Sequence, residues 1–242
     1  MADTYIGTSG WIYKHWRGVF YPPDLPAGRW FDYYAGHFRT VEINYTFYRL
    51  PEASTFDEWR QQAPGGFVYT VKASRYITHL KKLKDPQEPL ARFTGRARRL
   101  GGHLGPILYQ LPPHWGLNLE RLRAFVELLP ADLWHVFEFR EPSWFAEETL
   151  ALLDQHGVGL AITDFPGVVS PVRTTGRLAY LRFHGSQRAY EGSYSDAELR
   201  PWAGRIREFA GRGLPTYVYF NNDAHGHAVH NALRLREMVG AG

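Results

Sequence analysis

Eight short apolar runs recur along this chain at fairly even intervals, and several of them end in polar residues at alternate positions. The clearest are Glu42 and Asn44 in VEIN, Glu138 and Arg140 in VFEFR, Arg182 and His184 in YLRFHG, and Tyr219 and Asn221 in YVYFNN. A strand turns successive side chains to opposite faces, so each pair shares one face near the carboxyl end of its strand. Strands are expected at about 5–9, 40–45, 67–73, 106–111, 134–140, 158–163, 178–184 and 215–221, several of them β-branched and aromatic runs bounded by Gly or Pro.

Helical patterns lie between these runs. Ser195 followed by Glu198 reads as a capping box, Ser54 and Asn118 as N-caps, and Gly157 as the stop after ETLALLDQH. Regular alternation of strand and helix implies a parallel sheet. With eight repeats, the fold class is α/β, a single TIM-type (β/α)8 barrel spanning residues 1–242; an open doubly wound sheet is the alternative. Two places break the pattern. After the first strand, GWIYKHWRGVFYPPDLPAG is a long aromatic loop before a helix near Arg29 to Phe38, and FPGVVSPVRTTGR makes the sixth connection irregular, too rich in Gly and Pro for a full helix. The long loop is expected either to cover a pocket or to be held down by its own aromatic packing.

The 242 residues fit one barrel-sized domain, and the absence of cysteine excludes disulfides, thiolate metal sites and a cysteine nucleophile. No apolar stretch approaches the roughly 20 residues of a membrane span, and the opening MADTYIGTSGW lacks the basic and apolar regions of a signal peptide. A cytoplasmic protein without membrane contact is expected. The formal charge of +4 admits nucleic acid without implying it. The basic run Lys72 to Lys84, with Arg92, Arg96, Arg98 and Arg99, reads first as a solvated face and second as a phosphate track. Aromatic residues make up 16% of the chain and many lie outside the expected strands, which suits an aromatic-lined surface.

The runs GTSGWIYKHWRGVFYP from Gly7, EINYTFYRLP from Glu42, KASRYITH from Lys72, LYQLPPHW from Leu108, FEFREPSW from Phe137, YLRFHG from Tyr180 and YVYFNN from Tyr217 cover nearly the whole chain. Together they resemble the bacterial and archaeal domain-of-unknown-function 72 family, the YecE-like proteins. The resemblance implies a TIM-type barrel and supplies no settled activity.

Barrels keep their active sites at the carboxyl ends of the strands, and their interiors are dominated by Val, Ile and Leu. Charged residues phased to that region are therefore either paired with one another or functional. The catalytic candidates are Glu42, Lys72, Glu138, Asp164 and His184. Thr8, Trp11, Asn44, Tyr45, Gln110, Arg140, Trp144, Arg182, Tyr219, Asn221 and Asn222 are candidates for substrate binding. Arg140 and Arg182 offer planar forks suited to phosphate or carboxylate. The competing reading is an internal salt-bridge network in which Glu42, Glu138 and Asp164 balance Lys72, Arg140 and Arg182.

Glu138, Asp164 and His184 also supply donors suited to Mn²⁺, Mg²⁺ or Zn²⁺. The neighbouring arginines compete for the same carboxylates, so no cofactor is expected to be required, with a divalent metal as the alternative. His225, His227 and His230 form a weaker metal candidate, lacking HExxH spacing. Ser9 in GTSGW lacks the spacing of a nucleophile elbow, and no Walker or Rossmann glycine pattern occurs.

The favoured reading is an enzyme, a hydrolase, lyase or isomerase, that acts on a small polar or anionic metabolite such as a sugar or phosphate ester by acid/base chemistry. A nucleic-acid-processing barrel and a non-catalytic ligand-binding barrel are the alternatives, and the oligomeric state is left open.

Overall fold

The computed structural model describes residues 2–165, 167–186 and 190–240. The first half of the chain runs β1 (Thr4–Thr8), α1 (Trp30–Ala35), β2 (Thr40–Ile43), α2 (Tyr45–Tyr48), α3 (Ala53–Gln62), β3 (Val68–Lys72), α4 (Gln87–Ala97), β4 (Leu104–Gln110) and α5 (Leu119–Val126). The second half runs β5 (His135–Glu138), α6 (Glu147–Gln155), β6 (Gly159–Phe165), β7 (Val168–Val169), β8 (Ala179–Phe183), α7 (Asp196–Gly211), β9 (Thr216–Phe220) and α8 (His227–Val239). Eight parallel strands, ordered β1-β9-β8-β6-β5-β4-β3-β2, alternate with helices, and this is an α/β TIM-type barrel topology. Each of the eight expected strands is present to within two residues at either end.

Two compact units make up the chain, Met1–Glu42 with Thr163–Val169 and Leu178–Gly242, and Ile43–Ile162 with Ser170–Arg177. In the first unit, β9 pairs in parallel with both β1 and β8. Just beyond β1, Ser9 makes an isolated parallel bridge to Glu42 at the end of β2. This approach is close enough to require glycine one turn of the pleat earlier: a Cβ on Gly7 would lie 2.4 Å from the Thr40 carbonyl oxygen. The capping box forms as read, with the Ser195 side chain and Glu198 each satisfying the other's backbone N–H at the start of α7.

The long loop after β1 is fastened by its aromatic residues. Trp16, Tyr21 and Trp30 are buried, and Tyr21 stacks on Trp30 with centroids 4.9 Å apart and planes within 1°. Tyr21 donates its hydroxyl to the Trp11 carbonyl at 2.6 Å, and Trp16 donates its indole N–H to the Asp223 carbonyl at 3.0 Å. Of the two expectations for this loop, inward aromatic packing describes its contacts.

In the second unit, β3, β4, β5 and the start of β6 pair in parallel. All four residues of β5 are buried, as befits a strand covered on both faces. The apolar stripes of α4 (Leu90, Phe93, Ala97) and α5 (Leu122, Phe125, Val126) are likewise buried, each large side chain contributing about 1.5–3 kcal/mol by leaving water. Asn118 caps α5 by accepting the Arg121 N–H at 2.9 Å. Ser54 is not a cap: α3 begins one residue before it, at Ala53, behind Glu52, whose extended backbone precedes the helix without a side-chain bond.

Among the described residues, no helix separates β6 from β8. Instead β7 folds back antiparallel on the end of β6, pairing Asp164 with Val169 and Phe165 with Val168, which is how the irregular sixth connection is built. Pro166 of that connection lies outside the described residues. Among the described residues, no helix is long and apolar enough to cross a membrane.

Candidate functional site

In the first unit the polar strand ends gather around Glu42. This carboxylate is fully buried and accepts four hydrogen bonds: Ser9 Oγ at 2.6 Å and Arg182 Nη2 at 2.6 Å on one oxygen, Tyr180 Oη at 2.6 Å and Arg182 Nε at 3.0 Å on the other. Two donors on each oxygen satisfy an ionised carboxylate completely. The arginine is equally enclosed, with no exposed surface, so its fork is spent on Glu42. This is one pair of the salt-bridge network anticipated from the sequence.

The remaining terminal nitrogen of Arg182 lies 3.4 Å from His184 Nε2. A guanidinium carries donors only, so it meets this ring nitrogen through an N–H. Nδ1 is 3.2 Å from the amide nitrogen of Asn221. Arg182 and Asn221 thus flank a fully buried histidine, whose ring is further packed by Phe165 and Tyr190.

Asp164, at the end of β6, is half-buried, and burial pushes its carboxyl above the ordinary range; a hydrogen bond from Tyr194 opposes the shift and the charge of Glu198 adds to it. The Tyr194 hydroxyl also accepts the Gly185 N–H at 3.0 Å, so this phenol ties the acid to the residue after His184. Thr8 and Tyr219 are fully buried; Thr8 donates to the Gly10 carbonyl at 2.7 Å and meets Tyr34, and Tyr219 meets the Thr40 hydroxyl at 2.6 Å. Asn222 donates to the Gly192 carbonyl and to Asn231, holding the segment before α7. Trp11 is buried against Phe31.

In the second unit a different set assembles at the ends of β3, β4 and β5. Lys72 donates to Gln110 Oε1 at 2.6 Å, and its ammonium lies 4.2 Å from the centre of the Phe47 ring. Gln110 is the register partner of Glu138, and Glu138 forms a buried ion pair with Arg140 through the arginine Nε. The backbone of Lys72 is anchored as well, its carbonyl accepting the Thr46 hydroxyl at 2.6 Å. Asn44 stands at the turn from β2 into α2, where the backbone leaves the strand, so the alternation seen in VEIN ends at Glu42. Its Oδ1 is buried and without a hydrogen-bond partner. Tyr45 is exposed, whereas Trp144 is fully buried, donating its indole N–H to the Trp115 carbonyl at 2.5 Å and stacking on Phe139.

His79 belongs to this second set and was not singled out by the strand pattern. It sits on a single π-helical turn, Tyr76–Leu80, with its ring edge-on to Phe47 at 4.9 Å. Burial lowers its pKa to about 4, assisted by the charges of Lys72, Arg75 and Arg140. The signal available in sequence was its place at the end of KASRYITH, seven residues from Lys72; strand periodicity stops before it.

Among the described residues, no group of three or more His, Cys, Asp or Glu is arranged to hold a metal ion. His225 and His227 are ring neighbours, 5.8 Å apart, that do not form part of such a group.

The family described as "Protein of unknown function DUF72" matches residues 5–242. The chain is 25% identical to the UPF0759 protein YunF of Bacillus subtilis, over 97% of this chain and 94% of YunF. It is 31% identical to the UPF0759 protein YecE of Escherichia coli K12, over 66% of this chain and 58% of YecE. A solved DUF72 family protein from Thermotoga maritima matches it with a TM-score of 0.90 at 33% identity, covering 98% of this chain and 99% of that one. Another, from Enterococcus faecalis, shares the fold with a TM-score of 0.85 at 19% identity, over 99% and 96% of the two chains. The expected motifs, the strand order and the match over nearly every residue agree, and the chain belongs to the DUF72 family.

Proposed function

We propose that this protein is an enzyme that binds a small phosphate- or carboxylate-bearing metabolite at the ends of β3, β4 and β5 and acts on it by acid/base chemistry. The observation that carries this reading is the field at His79. Three cations, Lys72, Arg75 and Arg140, act on one half-buried imidazole, and each of them lowers its pKa. A site of positive potential with partly desolvated walls favours an anion.

Lys72 and Arg140 are the anion-holding groups in this reading, with Gln110 and Glu138 as positioning residues that fix the ammonium and the guanidinium. An arriving phosphate or carboxylate would oppose the field of the three cations. The part of the His79 depression that comes from the cations is then relieved and its pKa moves upward, while burial, the larger cause, still holds it below the ordinary value. Ligand binding thereby makes the imidazole more basic, the direction a general base requires. Asp164, with its raised carboxyl, and His184, held between Arg182 and Asn221, are the corresponding proposed proton-transfer groups of the first unit. Glu42 has a positioning role, since all its lone-pair sites are engaged. The lack of cysteine supports a reducing compartment such as the cytoplasm.

The test is calorimetric titration with inorganic phosphate and sugar phosphates, with the His79 ring followed by NMR. Phosphate binding with an upward shift of the His79 pKa, both weakened about tenfold or more in Lys72→Met, is expected. No phosphate or carboxylate binding, or binding that leaves His79 unmoved, overturns the proposal. Turnover of a phosphate ester that is lost in His79→Gln distinguishes an enzyme from a binding protein.

A further inference from the structure

Beside the proposed anion site, α2 is a single turn with two different faces. Phe47 and Thr46 point inward, to Lys72 and His79. Tyr45 and Tyr48, three residues apart and so neighbours on the helix, are 55% and 69% exposed. Exposed apolar side chains that neighbour one another, unlike singly scattered ones, mark interaction surfaces. Tyr48 is not loose: its ring meets Phe47 at 88° with centroids 5.1 Å apart, and the same Phe47 ring meets the Lys72 ammonium and His79. One shared ring therefore links an open tyrosine to the Lys72 ammonium.

Asn44 opens the same turn. Its amide oxygen is buried without a partner, an arrangement that an arriving donor would stabilise. A third ring, Tyr76, is 47% exposed on the π-helical turn that carries His79. The region thus combines cations for an anion, an unfilled acceptor for an N–H or O–H donor, and open rings for a flat apolar surface.

We infer that the ligand of this site is a nucleotide unit, its phosphate held by Lys72 and its base stacked on the exposed tyrosines of α2. The inference rests on the anion-binding reading and narrows its substrate class. A sugar phosphate would satisfy the cations and leave Tyr45 and Tyr48 in water. A nucleotide covers all three features, the base on tyrosine and the ribose hydroxyls or exocyclic amine as donors for Asn44. Base–aromatic stacking is tolerant of base identity, so no single base is specified.

The same chemistry is offered by a free mononucleotide and by a single-stranded oligonucleotide, and the experiment separates them. Calorimetry on the full chain compares inorganic phosphate, ribose 5-phosphate, AMP and a short oligodeoxyadenylate. AMP is expected to bind about tenfold more tightly than ribose 5-phosphate. The Tyr45→Ala/Tyr48→Ala double variant should bring AMP down to the ribose 5-phosphate level without changing phosphate binding, and the corresponding double Phe variant should retain the preference. Both tyrosines are exposed, so thermal unfolding of the variants should match wild type. An oligonucleotide that binds more tightly than AMP and loses affinity steeply with salt identifies a strand as the source; equal affinity identifies the mononucleotide. If ribose 5-phosphate binds as well as AMP, or the Ala variants keep the AMP preference, the nucleotide inference fails while the anion site stands. If inorganic phosphate, ribose 5-phosphate and AMP all fail to bind, both fail.

Discussion

Arg182 grips Glu42 with two parallel hydrogen bonds, from Nη2 at 2.6 Å and Nε at 3.0 Å, and neither side chain has any exposed surface. One guanidinium thereby couples the end of β2 to β8 and presents its remaining nitrogen to His184. A buried ion pair of this kind is a weak source of net stability, because two desolvation penalties offset the attraction, but it is intolerant of losing one partner.

Arg182→Met should accordingly destabilise the protein by about 3–5 kcal/mol, since it strands a buried carboxylate. The double variant Glu42→Gln/Arg182→Met should be the more stable of the two, because no uncompensated charge remains. Chemical denaturation of both variants beside wild type checks this; a double variant weaker than Arg182→Met would show that Glu42 does not depend on the guanidinium.

His79 makes folding stability depend on pH. Its folded pKa, about 4, lies below the ordinary 6.5, so the unfolded chain binds the proton first. The contribution of neutral His79 is fully present above pH 6.5 and is lost as the pH falls toward 4. Comparing the unfolding midpoint of wild type and His79→Gln across that window should show wild type losing more stability on acidification. Parallel curves would contradict it.

The opposite sign holds for Asp164. Burial raises its folded pKa above 3.8, so between 3.8 and that raised value the folded chain binds more protons than the unfolded one, and this group's contribution declines as pH rises. Tyr194→Phe removes the hydrogen bond that opposes the shift, and the Asp164 carboxyl should titrate higher still. Carbon NMR of the carboxyl in both proteins measures this directly.

Gly7→Ala places a methyl group 2.4 Å from the Thr40 carbonyl oxygen, a contact that β1 and β2 relieve only by moving apart. A loss of about 1–3 kcal/mol is expected in thermal or denaturant unfolding, comparable to overpacking a core. The same substitution at Gly204, where a Cβ meets nothing within 4 Å, is the control and should not destabilise.

The strands were legible because each is a short apolar run with firm punctuation, and Ser195 and Asn118 were legible because capping is a local matter of three or four residues. Ser54 was misread for the same local reason: Ala53, between Pro51-Glu52 and Ser54, already has helical geometry. Glu42, Arg182 and His184 could be phased to strand ends from alternation alone. That Arg182 would be spent on Glu42 could not, since the pairing joins residues 140 positions apart. His79 escaped notice because its position depends on a π-helical turn, whose extra residue per turn leaves no signature in an apolar pattern. Tyr45 was named as a binding candidate, but its place beside Tyr48 on one turn was not legible, because a helix of four residues is too short to show a period.

The fastening of Trp16 sets how the first unit breathes. Its indole N–H is held by the Asp223 carbonyl, its own carbonyl accepts the N–H groups of Val19, Phe20 and Tyr21, and no part of the side chain reaches water. Such a segment has no cheap local opening of its own. The amides of Val19, Phe20 and Tyr21, bonded to the carbonyl of this buried residue, are therefore expected to exchange with solvent more slowly than those of the exposed residues around them.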